Sequence, residues 1–334
     1  MDWRKGYSAR YWVREVDPVT WRDKGELNII SGTVKRTFSG LRNSATLSTL
    51  DDLDGVEKWV RIYLEADQNG ARAREPIFTG LAASPKRKAY ATRYDRNIDC
   101  YSVLKPADDI MLPRGYFVLA GTDAGDALRR LLDVIPAPLE IAPNTPQLTT
   151  SIVAEDDESY LSMANKVIES IGWNVDIQGD GTIVIEPYSA VPVATLDPVD
   201  NDIVEVPITI TEDWYKAPNV YRAVCDDIEG VARDTDDDSP LSIQNRGREV
   251  WQTENNANLS GGETIEQYAQ RQLKAAQRVR KKLSYDRRYI PDIRVGKVIK
   301  LHYPNQGIDG LYLVTSQNVK LGYGARTAEN VEEL

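Results

Sequence analysis

The chain has 334 residues, with 41 Lys and Arg against 51 Asp and Glu, a net charge of −10 and a sequence pI near 4.9. That acidic balance argues against non-specific nucleic-acid binding, which rests on neutralising phosphates with Lys and Arg. A hydrophobic share of 41% beside 28% charged residues excludes wholesale disorder, and no apolar run reaches the roughly 18 residues of a membrane helix.

The length predicts two or three domains. Residues 1–120 read as a first antiparallel β-barrel domain. Tyr11 and Val13 alternate with charged positions in RYWVREVD. LNIISGTVKRT and the stretch 43–50 continue the pattern, Val60, Ile62 and Leu64 repeat it, and a strand resumes at 77–81 after the turn-rich ADQNGARARE.

The period then changes. Residues 121–187 read as a helix followed by an αββ unit. Thr122 is the expected N-cap of a helix over 122–135, whose Ala124, Ala127, Leu128, Leu131, Leu132 and Ile135 share one face before Pro136 and Pro138 stop it. A second helix is expected over 157–171, with an acidic first turn, Tyr160, Ala164, Val167, Ile168 and Ile171 on one side, and Gly172 as its stop. Trp173, Val175 and Ile177, the turn QGDG, then Ile183 and Ile185 read as a hairpin.

Residues 188–334 read as a second β-barrel domain carrying a long amphipathic helix. Strands are expected at 202–210 and 220–224, and an acidic loop over 226–239. The helix is expected over 264–283, with Ile265, Tyr268, Ala269, Gln272, Ala276, Val279 and Leu283 on one face. Arg271, Lys274, Arg278, Arg280, Lys281 and Lys282 crowd its second half. Strands at 298–301 and 311–315 close the chain. The fold class is therefore mainly β (α+β), with two related antiparallel barrels. An internal repeat supports this: WVRIYLEAD, a polar loop and PIFTGLAAS near the front match KVIKLHYPN, a polar loop and GLYLVTSQN near the end, and RYWVREVDP matches VYRAVCDD.

The chemistry is thin. Cys100 and Cys225 are the only cysteines and His302 the only histidine, so disulfide frameworks, cysteine zinc sites and two-histidine metal sites are excluded, and no cofactor or metal is expected. The charged start MDWRKGYSARYWVREVD shows no secretory signal, and synthesis in a reducing cytoplasm is expected. Asp51, Asp52 and Asp54, and Asp108 with Asp109, are the candidate carboxylate pairs for glycoside hydrolysis; adjacent acids in turns are more often solvated. Asp234, Asp236, Asp237 and Asp238 lack the Gly and Glu of an EF-hand. Neither GxGxxG nor GxxxxGK[ST] occurs, so nucleotide binding has no support. Tyr (17) and Trp (7) outnumber Phe (3), which suits barrels and subunit contacts. The basic end Arg278, Arg280, Lys281 and Lys282 is a candidate docking surface for an acidic protein partner.

The segment order ISGTVKRTFSGLRNSATLS, helix 122–135, LSMANKVIESIGWNVDIQGDGTIVIEP, ITEDWYKAPNVYRAV and YIPDIRVGKVIKLHYPNQGIDGLYLVTSQNVKLG resembles the baseplate hub proteins of contractile phage tails and prophage-like particles. The hub part of type VI secretion spike proteins is similar. The resemblance covers nearly the whole chain and implies two barrels per chain in a homotrimer. Six barrels would then join a hexameric tail tube to a trimeric spike. It also implies a non-enzymatic role in the virion tail, and the tail tube protein, the central spike protein and tape-measure or other baseplate proteins as partners. Two rivals remain: a tail-associated cell-wall hydrolase using an Asp/Glu pair, and a receptor-glycan-binding tail protein.

Overall fold

Alternation of apolar and polar residues aims one face of each strand at a core, and seven such strands open the chain. In the computed structural model they are β1 (Ser8–Val16), β2 (Asp23–Leu27), β3 (Ile29–Thr37), β4 (Asn43–Thr49), β5 (Lys58–Gln68), β6 (Ala71–Ala89) and β7 (Tyr94–Ser102). The structure describes all residues except 39, 50, 52–56, 90–93, 199–202, 226–227, 256–263, 278–279, 323 and 325, and the side chains of 84, 85, 87, 94 and 95. Inward-facing Val13, Val34, Leu47, Ile62, Phe78 and Ile98 meet in one core.

Between 103 and 187 the chain forms α1 (Lys105–Asp109), β8 (Phe117–Val118), α2 (Ala124–Leu132), β9 (Leu139–Ile141), β10 (Ile152–Val153), α3 (Tyr160–Ser170), β11 (Trp173–Ile177) and β12 (Ile183–Pro187). Both expected helices form, with shifted starts. Asp123 rather than Thr122 caps α2, accepting from the Asp126 N–H at 3.0 Å. Ser159 caps α3, so the acids at 155–158 precede the helix; Asp157 has φ +60°, outside helical space. Leu128, Leu131, Val167, Ile168, Ile183 and Ile185 share the core of this region. The β11–β12 hairpin forms as expected, and β9 adds in parallel to β12.

The QGDG turn between β11 and β12 is seated on the first strands. The Thr79 hydroxyl donates to the Gly179 carbonyl at 2.8 Å, and the Arg61 guanidinium and Trp21 indole donate to the Asp180 carbonyl at 2.9 and 3.0 Å. A Cβ on residue 179 would lie 1.8 Å from the Pro76 carbonyl oxygen, so the approach requires glycine.

The remainder comprises β13 (Pro192–Leu196), β14 (Val204–Thr211), β15 (Val220–Cys225), β16 (Ile228–Arg233), α4 (Ile243–Arg246), β17 (Trp251–Asn255), α5 (Ile265–Ala276), β18 (Lys282–Arg287), β19 (Val298–Tyr303), β20 (Ile308–Leu321) and β21 (Thr327–Glu333). Thirteen strands form one sheet, in the order β14-β18-β21-β20-β3-β4-β7-β6-β5-β1-β2, with β19 on β20 and β13 on β19.

That order contains a repeat. In the front half the neighbours run β3-β4-β7-β6-β5-β1; in the rear half they run β14-β18-β21-β20-β19-β13. Taken in chain order within each half, the two paths are the same permutation of six strands. The repeated WVRIYLEAD…PIFTGLAAS and KVIKLHYPN…GLYLVTSQN segments are β5–β6 and β19–β20, equivalent positions in the two paths. The halves differ in that β1 is antiparallel to β5 whereas β13 is parallel to β19, and β2 has no counterpart. The match of RYWVREVDP to VYRAVCDD is corrected: β15 pairs with β16 and β17 in a separate sheet, and β13 takes the place equivalent to β1.

The chain divides into two compact units, Met1–Ile208 with Ser284–Glu332 and Leu334, and Thr209–Leu283 with Glu333. In the second unit, α5 packs on the sheet β16-β15-β17 through Tyr221, Ala223, Ala232, Tyr268, Ala269 and Leu273. A capping box between Thr264 and Gln267 starts the helix. The expected helix 264–283 is too long: α5 ends at Ala276 with Gln277 as its C-cap, Arg278 and Val279 lie outside the described residues, and Lys282 opens a strand. Leu283 is buried, but as part of the period-2 pattern of β18. The expected loop 226–239 is also shortened, because Ile228–Arg233 pairs with β15; Asp226 and Asp227 lie outside the described residues.

Candidate functional site

Among the described residues the acidic clusters do not converge. Asp51 accepts from the Asn28 backbone N–H at 2.6 Å and from its side-chain amide, while Asp52 and Asp54 lie outside the described residues. Asp108 and Asp109 sit on α1, both ion-paired to Lys105 at 3.0 and 2.5 Å. Asp234 takes hydrogen bonds from the Ser239 hydroxyl (2.6 Å), the Gln277 amide (2.7 Å) and the Asp236 N–H (3.1 Å), which makes it the anchor of a turn. Among the described residues no three His, Cys, Asp or Glu side chains are grouped to hold a metal ion. His302, on β19, faces Asp309 across the β19–β20 pair, Nδ1 to Oδ1 3.1 Å, at the surface.

The predicted basic docking residues are strand residues and their approach. Arg280 and Lys282 are exposed and Lys281 is half-buried. The Glu333 N–H donates to the Lys281 carbonyl at 2.9 Å, and the Lys281 N–H to the Glu333 carboxylate at 3.3 Å. They therefore project from the start of β18, not from a helix end, and the helix dipole plays no part in placing them. Arg278 lies outside the described residues.

Sequence reasoning missed a buried polar cluster at the joint of the two six-strand paths. Arg287 on β18 and Glu329 on β21 form an ion pair whose side chains are both 0% exposed, Nε to Oε1 3.0 Å and Nη2 to Oε2 2.6 Å. The Tyr285 hydroxyl and the Gln317 amide also donate to Glu329, at 2.7 and 2.6 Å. Gln317, on β20, accepts from Arg36 on β3 at 3.2 Å, and Arg36 donates to the Ile77 carbonyl at 2.6 Å. The chain of hydrogen bonds thus crosses from the rear path to the front path beside the β20–β3 pairing. Burial alone would push the Arg287 guanidinium down, but the Glu329 carboxylate outweighs it and holds the pKa above the ordinary arginine value. Burial, then the Glu329 charge, pushes the Tyr285 phenol well up. One sequence signal could have found the cluster: in KLSYDR the inward period-2 positions are Leu283, Tyr285 and Arg287, and an inward arginine demands a partner.

No protein-family model matches the chain, and no curated protein matches its sequence. Solved structures do match. The tail protein from Neisseria meningitidis MC58 is 18% identical, with a TM-score of 0.68 over 98% of this chain and 97% of that one. The 43 kDa tail protein of prophage MuSo2 from Shewanella oneidensis is 10% identical, with a TM-score of 0.66 over 97% and 98%. An E. coli component of the type VI secretion system, described as structurally similar to bacteriophage T4 tail proteins, is 7% identical, with a TM-score of 0.51 over 92% of this chain and 74% of that one. At these identities the likeness establishes the fold, and the chain accordingly has the phage tail protein fold that its segment order resembles.

Proposed function

We propose that this chain is a structural hub of a phage or phage-like tail: a homotrimer that joins a six-fold tail tube to a three-fold spike. The observation that carries the reading is the repeated strand order. Two equivalent six-strand paths per chain become six in a trimer, the number needed to meet a six-fold partner with a three-fold protein. Asp51, Asp108, Asp109 and Asp234 are held in turns or ion pairs, which favours this mechanical role over cell-wall hydrolysis, which needs a carboxylic acid held in an apolar pocket.

The partners in this reading are a second and third copy, the tail tube protein, the central spike protein and tape-measure or other baseplate proteins. The location is the virion tail, after synthesis in the host bacterial cytoplasm. Arg280, Lys281 and Lys282, with Arg278, form the docking surface for an acidic partner. The division 1–120, 121–187 and 188–334 belongs to the same proposal, as two inherited β modules and the helical region between them. Light scattering combined with electron microscopy tests it. The expected result is a three-fold ring with six similar lobes, either alone or with tail components; a stable dimer at every concentration, alone and with those components, refutes it.

A further inference from the structure

Residues 8–12 of β1 pair with β5 along one edge. On the other edge β2 begins only at Val13, so no strand among the described residues covers 8–12 there. Residues 29–31 of β3 stand in the same condition: β4 holds one edge, and the pairing with β20 starts at Gly32. Between the two bare edges lies a cavity of ≈ 370 Å³, lined by 9–12, 29–31, Leu321 and Gly322. A second hollow of ≈ 360 Å³ shares Ala9 and Tyr11 with it and continues past Tyr7, Arg288, Tyr289 and Arg326. Bare strand edges present backbone N–H and C=O groups that await a ladder partner.

We infer that this slot accepts an extended, acidic segment of a partner protein, which enters as an added strand between β1 and β3. The length fits: five residues at about 3.3 Å each span roughly 17 Å of edge. The side chains fit an amphipathic strand, with Ile30 59% exposed and Tyr11 and Trp12 presenting aromatic surface with polar tips. The Trp12 indole N–H is buried with no acceptor.

The charge fits as well. Among the described residues no acid lines either hollow, whereas Arg10, Arg288 and Arg326 do. Arg326 is paired with Glu205. Among the described residues Arg10 makes no ion pair, but it also lines a neighbouring hollow with Glu65, opposite it on β5, and with Asp67, itself held by Arg72 at 3.0 Å, so its charge is shared between the two hollows. Arg288 donates to the Arg4 carbonyl, and among the described residues it makes no ion pair. The slot does not depend on the trimer reading, because its residues all lie in one unit of one chain.

The test uses the whole chain and two acetylated, amidated heptapeptides, one alternating glutamate with valine and one alternating lysine with valine. Backbone hydrogen exchange is read at 8–12 and 29–31. The glutamate peptide is expected to slow these amides at least about tenfold, and the lysine peptide to leave them unchanged. Arg10→Glu with Arg288→Glu is expected to reverse the preference. Equal slowing by both peptides, or by neither, overturns the proposal from the wild-type chain alone, whether or not the variants fold. Slowing that appears on raising the chain concentration without peptide assigns the slot to a second copy and also overturns it.

Discussion

Arg287→Met removes one half of an ion pair with no solvent access on either side. The Glu329 carboxylate then keeps two neutral donors, the Tyr285 hydroxyl and the Gln317 amide, and loses its counter-charge. An uncompensated buried charge costs about 3–5 kcal/mol. For a unit of roughly 250 residues, at about 2–4 °C per kcal/mol, the melting temperature should fall by roughly 10 °C. Glu329→Gln in the wild-type background strands the guanidinium instead and costs a similar amount. Together, however, the two substitutions leave a neutral cluster in which the residue 329 amide oxygen still accepts from Tyr285. The double variant should therefore be more stable than Arg287→Met by about 2 kcal/mol or more, so that Glu329→Gln changes sign with background. Urea unfolding at constant slope, followed by tryptophan fluorescence, measures all four corners of the cycle. Simple additivity of the two losses, or a cost below about 1 kcal/mol for Arg287→Met, would refute the claim that charge pairing dominates this joint.

Gly179→Ala should destabilise the first unit by about 1–3 kcal/mol in urea, because its Cβ collides with the Pro76 carbonyl; an unchanged midpoint would mean the turn is not seated there. Burial alone would raise the Asp234 carboxyl, but hydrogen bonds from Ser239, Asp236 and Gln277 outweigh it and hold the carboxyl below its usual range. A depressed folded-state value stabilises the fold above the unfolded pKa, near about 3.9, and that stability is lost as pH falls through the folded value. Thermal melts taken through that window should show Asp234→Asn less sensitive to acid than the wild type, and equal sensitivity would count against the linkage. Arg280→Glu with Lys282→Glu, both at exposed positions, should leave the melting temperature unchanged and weaken binding to tail tubes, most at low salt. Binding that is unaltered at low salt would leave these residues as a solvated surface.

Local patterns were legible where local physics decides. The apolar faces of α2 and α3 and the β11–β12 hairpin follow from periodicities of 3.6 and 2, and the β5–β6 and β19–β20 segments revealed the repeat through their own residues. Pairing between distant strands left no such mark. Nothing in β3 names β20 as its neighbour, and this contact joins the two paths. The helix around 264–283 was overextended because Arg and Lys tolerate helix well, so propensity carried the reading past Ala276, while the alternation of Leu283 and Tyr285 with polar residues carried the better signal. Of the docking residues, Arg280 and Lys282 are exposed and Lys281 is half-buried, at the start of a strand where a helix end was expected. The period of KLSYDR marks Arg287 as inward, but its partner Glu329 stands 42 positions away and only the fold identifies it.

The β20–β3 pairing also sets a schedule for the nascent chain. Val34 pairs with Val319, and the Tyr7 hydroxyl donates to the Tyr289 carbonyl, so strands made first wait for strands made last. At about 5–20 residues per second, a partner some 280 positions downstream arrives after roughly 15–60 s. Through that interval one edge of β3 has no mate, and neighbouring ribosomes on one message hold many such edges close together. Production of this protein should therefore be limited by what shields that edge while the ribosome completes the chain.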